Sequence, residues 1–124
     1  MQQPTSPEIL DGSLSIRVRE EDSVRTLAIA GELDLANAAT LAAQLEERTA
    51  GELILDMSEL EFIDSTGIAL LVATHRRLNG AGSVRFSLIG STSPGVHRVM
   101  ALTGLEAELP FLGDGHLEPD PGAA

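Results

Sequence analysis

The chain has 124 residues, of which 43% are hydrophobic, and this length fits one domain with a modest core. It carries 19 Asp and Glu residues against 8 Lys and Arg, so its formal net charge is −11. This charge repels phosphate backbones, and only 2% of the residues are aromatic and could stack on bases. Nucleic acid is therefore not expected as a direct partner.

No apolar run approaches the roughly 20 residues that cross a bilayer, so no membrane contact is expected. Residues 1–7 show neither the basic nor the apolar part of an export signal, which predicts a soluble, cytoplasmic protein. The sequence contains no cysteine, and this excludes disulfides, thiolate catalysis and thiolate metal sites.

The two ends of the chain, residues 1–12 and 113–124, are predicted to be flexible tails around a domain at residues 13–112. Within this domain, residues 13–19 alternate polar and apolar side chains, which is the two-residue period of a strand. Residues 24–30 form a second apolar segment, and residues 20–23 between them predict a turn. The two strands are therefore expected to form a hairpin.

A helix is expected after this hairpin, because apolar residues recur at helical spacing from Leu35 to Leu45. Either Asp34 or Asn37 can cap its start, and it ends near Gly51. Residues 52–57 then form a compact strand. Their near-continuous apolar run is typical of a central strand that is covered on both faces.

Beyond Asp64 the apolar spacing is helical again, and residues 79–82 stop this second helix. Residues 83–89 alternate like a strand, Pro94 opens a third helix that Gly104 ends, and residues 105–112 supply a last short strand. The order is β-β-α-β-α-β-α-β. Crossovers through helices leave strands parallel, so the sequence predicts a single α/β domain with a mixed sheet.

Ser65 is the candidate functional residue, because it stands where the second helix begins and its hydroxyl is exposed there. It does not fit a hydrolytic nucleophile. Ile63 occupies the position of the first glycine in a Gly-x-Ser-x-Gly elbow, and His75 lies about 15 Å further along the same helix. The acidic residues lack the spacing of a metal-binding loop, so no catalytic residue and no metal site are expected.

Two roles for Ser65 remain open from the local residues. It can cap the helix, which is the simpler role, or it can accept a phosphate, which the dipole and unpaired N–H groups of a helix N-terminus favour. A phosphate of charge about −1.5 to −2 near Asp64 and Asp34 would repel an acidic partner without unfolding the site. Gly67 would then leave the first turn clear for the approach of a kinase.

Four motifs occur in order along the chain, namely GELD at residues 31–34, LILDMS at 53–58, FIDSTG at 62–67 and VHRVMALTGL at 96–105. Their order and spacing resemble the STAS family, specifically the bacterial anti-sigma factor antagonists, over about residues 13–112. Any one motif would be weak evidence, whereas four in order are specific. The resemblance implies a mixed sheet with helices, in agreement with the predicted order of elements.

The resemblance also implies a partner-switching regulator of transcription in a stress or developmental response. In that family, the unphosphorylated antagonist binds an anti-sigma factor that is also a serine kinase, and this releases the sigma factor. The family's phosphorylated serine matches Ser65, and the resemblance implies docking or phosphorylation roles for Asp34, Asp64, Thr66 and Gly67. A PP2C-type phosphatase reverses the modification. The kinase supplies ATP and Mg²⁺, so no cofactor is implied for this chain.

A second possibility within the same fold is a STAS-type interaction module that serves a signalling scaffold or a transporter without a switch at Ser65. The intact Asp64-Ser65 pair and the single-domain length favour the antagonist. The kinase, the phosphatase and the sigma factor are encoded in other chains.

Overall fold

A computed structural model describes residues 7–47 and 51–112 of the chain. Within these residues, five strands form one sheet in the order β1-β2-β3-β4-β5, and four helices accompany it. The elements in chain order are β1 (Glu8–Asp11), β2 (Leu14–Glu21), β3 (Val24–Leu33), α1 (Ala38–Leu45), β4 (Gly51–Ile63), α2 (Ser65–Ala81), β5 (Val84–Ile89), α3 (Pro94–Leu102) and α4 (Leu105–Glu108). The predicted tail at 113–124 lies outside the described residues.

The sheet is mixed, as the sequence predicts. β1, β2 and β3 pair antiparallel, while β4 pairs parallel with both β3 and β5. The turn between β2 and β3 contains Asp22, whose φ of 56° lies in the left-handed region that Asp tolerates better than most residues. The connections that contain α1 and α2 lead into the parallel strands β4 and β5, as crossovers require. The predicted hairpin and the α/β class are therefore confirmed.

The helices pack against one face of the sheet, where strand and helix residues join a single buried cluster. In β4, Leu53, Leu55 and Met57 are fully buried on this face, whereas the alternate residues Ile54 and Asp56 are only half-buried. The prediction that this strand is covered on both faces is therefore wrong. A short apolar run does not reveal which of its residues lie under helices, because an isoleucine also fits a half-exposed face.

β4 is longer than predicted, because it continues to Ile63 and delivers the chain directly to Asp64. Its register against β3 shifts twice, and such bulges bend a strand. Where β5 has ended, the hydroxyl of Ser91 donates a hydrogen bond to the carbonyl of Leu60 at 2.7 Å. A side chain thus replaces the neighbouring strand, and the backbone of the extension stays bonded.

The sheet begins earlier than expected, since β1 lies within the segment for which the sequence predicts a tail. β1 pairs with β2 along its whole length, and its half-buried Ile9 lies opposite Ile16 and packs against the core. Four residues are too few to show a periodic pattern, so this strand is recognisable only beside its partner.

Residues 105–112 do not form the expected last strand. A short helix occupies Leu105–Glu108, and Phe111 makes only an isolated bridge to Leu88. Leu105 and Leu109 are both buried, and their separation is the spacing of one helical face. The prediction of a strand here is wrong. The segment is too short for the helical period of about 3.6 residues to be distinguished from the two-residue period of a strand.

Candidate phosphorylation site

Ser65 is the first residue of α2, and its side chain is exposed. This placement follows from the local chain path, since β4 ends on the buried Ile63, Asp64 turns the chain and the helix begins at the next residue. In the part of the chain that the structure describes, the Ser65 hydroxyl has no hydrogen-bond partner. The hydroxyl can therefore react without first breaking an internal bond.

The residue that caps α2 is Asp64. Its Oδ1 accepts a hydrogen bond from the backbone N–H of Gly67 at 3.0 Å, which is the usual bond of an N-cap aspartate. The carboxylate also lies at the positive end of the helix dipole. Of the two local roles considered for Ser65, capping is thus performed by its neighbour.

The second carboxylate oxygen of Asp64 reaches the turn between β3 and α1. Oδ2 accepts a hydrogen bond from the N–H of Leu35 at 3.1 Å, and the N–H of Asp64 donates to the carbonyl of Leu33 at 3.1 Å. The carboxylate therefore joins two segments that are 29 residues apart in the chain. Asp64 has a structural role at the site, while its predicted docking role stays a prediction.

Asp34 holds the same turn from within. Its carboxylate accepts a hydrogen bond from the N–H of Ala36 at 3.1 Å, and its carbonyl accepts one from the N–H of Ala38 at 2.9 Å. Because residues 34–37 form this turn, α1 begins at Ala38, directly after Asn37, which is the second of the two predicted cap positions. The structure thus brings Asp34 and Asp64 to the same turn, beside the start of α2.

Asn37 is buried in this turn, with 2% of its surface exposed, and its side chain makes no cap bond to α1. Its side-chain oxygen instead accepts a hydrogen bond from the N–H of Asp34 at 2.9 Å. Its amide nitrogen donates to the carbonyl of Glu32 at 3.0 Å. The sequence indicates Asn37 only as an alternative cap, because spacing along the chain does not reveal contacts that point back to β3.

Gly67 faces the core under the first turn of α2 and is buried. A Cβ atom at this position would lie 2.7 Å from Cγ1 of Ile63 and 2.9 Å from Cγ of Leu33. The missing side chain therefore permits close packing of the helix against the ends of β3 and β4. The expectation that Gly67 clears the approach to Ser65 does not fit this inward position.

Thr66, the residue between Ser65 and Gly67, is half-buried.

Two large apolar side chains remain exposed near Ser65. Leu35 is 76% exposed and Phe62 is 48% exposed. The backbone of Leu35 is bonded to Asp64, and Phe62 lies near the end of β4. Both side chains are available for contact with another protein, although single exposed apolar residues are common on protein surfaces. Sequence periodicity alone does not identify these two side chains, because it does not report exposure.

The described residues contain no group of three or more His, Cys, Asp or Glu side chains that could hold a metal ion. On α3, Nε2 of His97 lies 3.2 Å from Oε2 of Glu106. Within residues 7–47 and 51–112, no helix has the length and apolar character needed to span a membrane.

A family model described as the STAS domain matches residues 15–122. The chain belongs to the STAS family. The family membership predicted from the four motifs is therefore confirmed, and the matched region of this STAS domain continues past Leu112, where the domain was expected to end.

This STAS domain is 33% identical to the anti-sigma-F factor antagonist RsfB of Mycobacterium tuberculosis over 97 residues, which cover 76% of this chain and 77% of that protein. It is 24% identical to an anti-sigma F factor antagonist of Paenibacillus polymyxa over 103 residues, or 80% and 86% of the two chains. The crystal structure of an anti-sigma factor antagonist from Mycobacterium paratuberculosis is similar, with a TM-score of 0.68, 26% identity, and coverage of 82% and 86%. All three relatives carry the name of anti-sigma factor antagonists.

Proposed function

We propose that this protein is an anti-sigma factor antagonist whose binding is switched by phosphorylation of Ser65. The observation that carries the proposal is the Ser65 hydroxyl, which is exposed on the first turn of α2 and unbonded among the described residues. The names of the relatives support the class of protein. The geometry supports the switch, because a kinase requires an accessible hydroxyl and the cap by Asp64 holds the backbone beside it.

In its unphosphorylated form, the protein binds an anti-sigma factor that is also a serine kinase, and the sigma factor is thereby released for transcription. The kinase transfers the γ-phosphoryl group of ATP to Oγ of Ser65 and supplies both Mg²⁺ and the base that takes the hydroxyl proton. A PP2C-type phosphatase removes the phosphate by hydrolysis. These partners meet in the cytoplasm.

Phosphorylation at this position requires no refolding. The start of α2 favours negative charge through its dipole and its unpaired N–H groups, so a phosphate is tolerated there. The modification adds a charge of about −1.5 to −2 beside Asp64, on a chain whose net charge is already −11. A close-fitting acidic partner surface is then repelled by charge and bulk, and the complex dissociates.

The docking surface proposed here surrounds Ser65. Asp34 and Thr66 lie on it, and the exposed side chains of Leu35 and Phe62 supply its apolar contacts. Asp64 contributes by fixing the turn that carries Leu35. Gly67, which also matches the family motif, contributes through packing beneath this surface, since it is buried.

The test is phosphorylation by the organism's own anti-sigma serine kinase with labelled ATP. Wild-type protein should acquire one phosphate, which mass spectrometry places on Ser65, and Ser65→Ala should acquire none. Ser83→Ala is the matched control, because Ser83 is also an exposed serine but lies directly before β5. Absence of label on the wild type, or equal label on Ser65→Ala, would contradict the proposal.

A further inference from the structure

We infer that Asn37 is a positioning residue for the Ser65 docking surface: it fixes the turn between β3 and α1 that carries Leu35 and contacts Asp64. The inference rests on the proposed function, because it concerns how well a kinase docks at this surface. Asn37 is only 2% exposed, so it acts through the turn and not by contact with a partner.

The Asn37 side chain uses both its acceptor and its donor. Oδ1 accepts from the N–H of Asp34 at 2.9 Å, while Nδ2 donates to the carbonyl of Glu32 at 3.0 Å and, more weakly, to that of Asp11 at 3.5 Å. A carboxylate has no such donor, and alanine has neither group. One buried amide therefore ties the turn to the end of β3 and to β1.

Two neighbouring N–H groups of the turn are held by different side chains, one from within the turn and one from the start of α2. The N–H of Asp34 is bonded to Asn37, and the next one, of Leu35, is bonded to Oδ2 of Asp64 at 3.1 Å. The other oxygen of Asp64 caps α2, directly before Ser65. A displaced turn must either break the bond to Asp64 or shift that carboxylate, and in both cases Leu35 moves relative to Ser65.

The bonding pattern separates this role from helix capping. An N-cap asparagine accepts from N–H groups two or three residues further along the helix with its side chain. Here the N–H of Thr40 donates to the backbone carbonyl of Asn37 at 3.1 Å, and the side chain makes no cap bond. Removal of the side chain therefore leaves the start of α1 bonded, while the turn loses its side-chain bonds to the end of β3 and to β1.

The test compares Asn37→Ala with Thr40→Val in the full chain, with the organism's own anti-sigma serine kinase and ATP. Thr40 is the matched control, because its hydroxyl bonds the carboxylate of Asp11 at 2.5 Å and so ties the same helix to β1, while its only bond to the turn is a backbone bond that Thr40→Val retains. We expect Asn37→Ala to raise the KM for this protein about ten-fold with kcat unchanged, since buried hydrogen bonds that hold the docked geometry are lost. Thr40→Val should leave KM unchanged.

Hydrogen exchange provides a readout that is independent of the kinase. The amides of Asp34 and Leu35 should exchange faster in Asn37→Ala and at the wild-type rate in Thr40→Val. Asn37→Ser retains a hydroxyl that can accept from Asp34, so its KM should fall between those of wild type and Asn37→Ala. This variant also replaces Asn37→Ala if the alanine protein does not fold.

Equal KM values for wild type and the Asn37 variant, or unchanged exchange at both amides, would overturn the inference. A wild-type protein that gains no label on Ser65 would instead overturn the proposed function. The exchange rates would in that case still decide whether Asn37 fixes the turn.

Discussion

Replacement of Gly67 by alanine places a methyl group where α2 packs against the ends of β3 and β4. The new Cβ atom would lie 2.7 Å from Cγ1 of Ile63 and 2.9 Å from Cγ of Leu33. Both side chains are buried, and the close atoms are near their backbones, so neither can rotate away at low cost. Overpacking of this kind costs about 1–3 kcal/mol of the free energy of unfolding.

Helix propensity acts in the opposite direction, because alanine is better than glycine by about 1 kcal/mol in a helix interior and by less in the first turn. We therefore expect Gly67→Ala to lower the free energy of unfolding by about 1–2 kcal/mol. Gly80→Ala is the matched control on the same helix, since a Cβ atom there would meet nothing within 4 Å. That variant should gain up to about 1 kcal/mol.

The assay is urea unfolding followed by far-ultraviolet circular dichroism, because the chain has no Trp or Tyr to report by fluorescence. The informative quantity is the difference in free energy of unfolding between the two alanine variants. It is calculated with the same dependence of this free energy on urea concentration for both variants. If Gly67→Ala is as stable as Gly80→Ala, the close packing of α2 on Leu33 and Ile63 is refuted.

Three further outcomes are expected at the site. Ser65→Asp should weaken binding to the anti-sigma factor by roughly 2–3 kcal/mol through charge and bulk, whereas Ser65→Ala should retain it; equal affinities in calorimetry would rule out a phosphorylation switch. Asp64→Ala removes the cap of α2 and the bond to Leu35, so it should lower the free energy of unfolding by about 1–2 kcal/mol. A thermal midpoint equal to that of Ser65→Ala would argue against a structural role of the Asp64 carboxylate. Leu35→Ser should leave stability unchanged and weaken the complex by at least about 1 kcal/mol, and an unaltered Kd would remove Leu35 from the docking surface.

The elements predicted well are those whose causes lie in adjacent residues. Alternation in residues 13–19 and the apolar segment at 24–30 identified the hairpin, and two glycines marked helix ends that the structure places close by. Gly82 caps α2 with a φ of 78°, and Gly104 follows α3 with the same value, a conformation that favours glycine. The spacing of apolar residues and the residues that form turns depend on positions only a few residues apart. They can therefore be recognised from the sequence of one segment alone.

The elements predicted poorly depend on neighbours that are distant in sequence. β1 is too short to show a period, and its partner β2 defines it. The extension of β4 beyond residue 57 is bonded on one side by β3 and on the other by side chains such as Ser91. The segment at 105–112 became a helix with one isolated bridge because Leu105 and Leu109 both reach the core.

The sequence by itself determined the family, the α/β class and the position of Ser65 at the start of a helix, since each is carried by motifs or local spacing. Only the tertiary structure decided what surrounds that serine. It assigned the cap to Asp64, turned Gly67 inward and bonded Asp64 to Leu35 across 29 residues. The physical reason is that hydrogen bonds and packing between separate segments exist only once β3, β4 and α2 have come together.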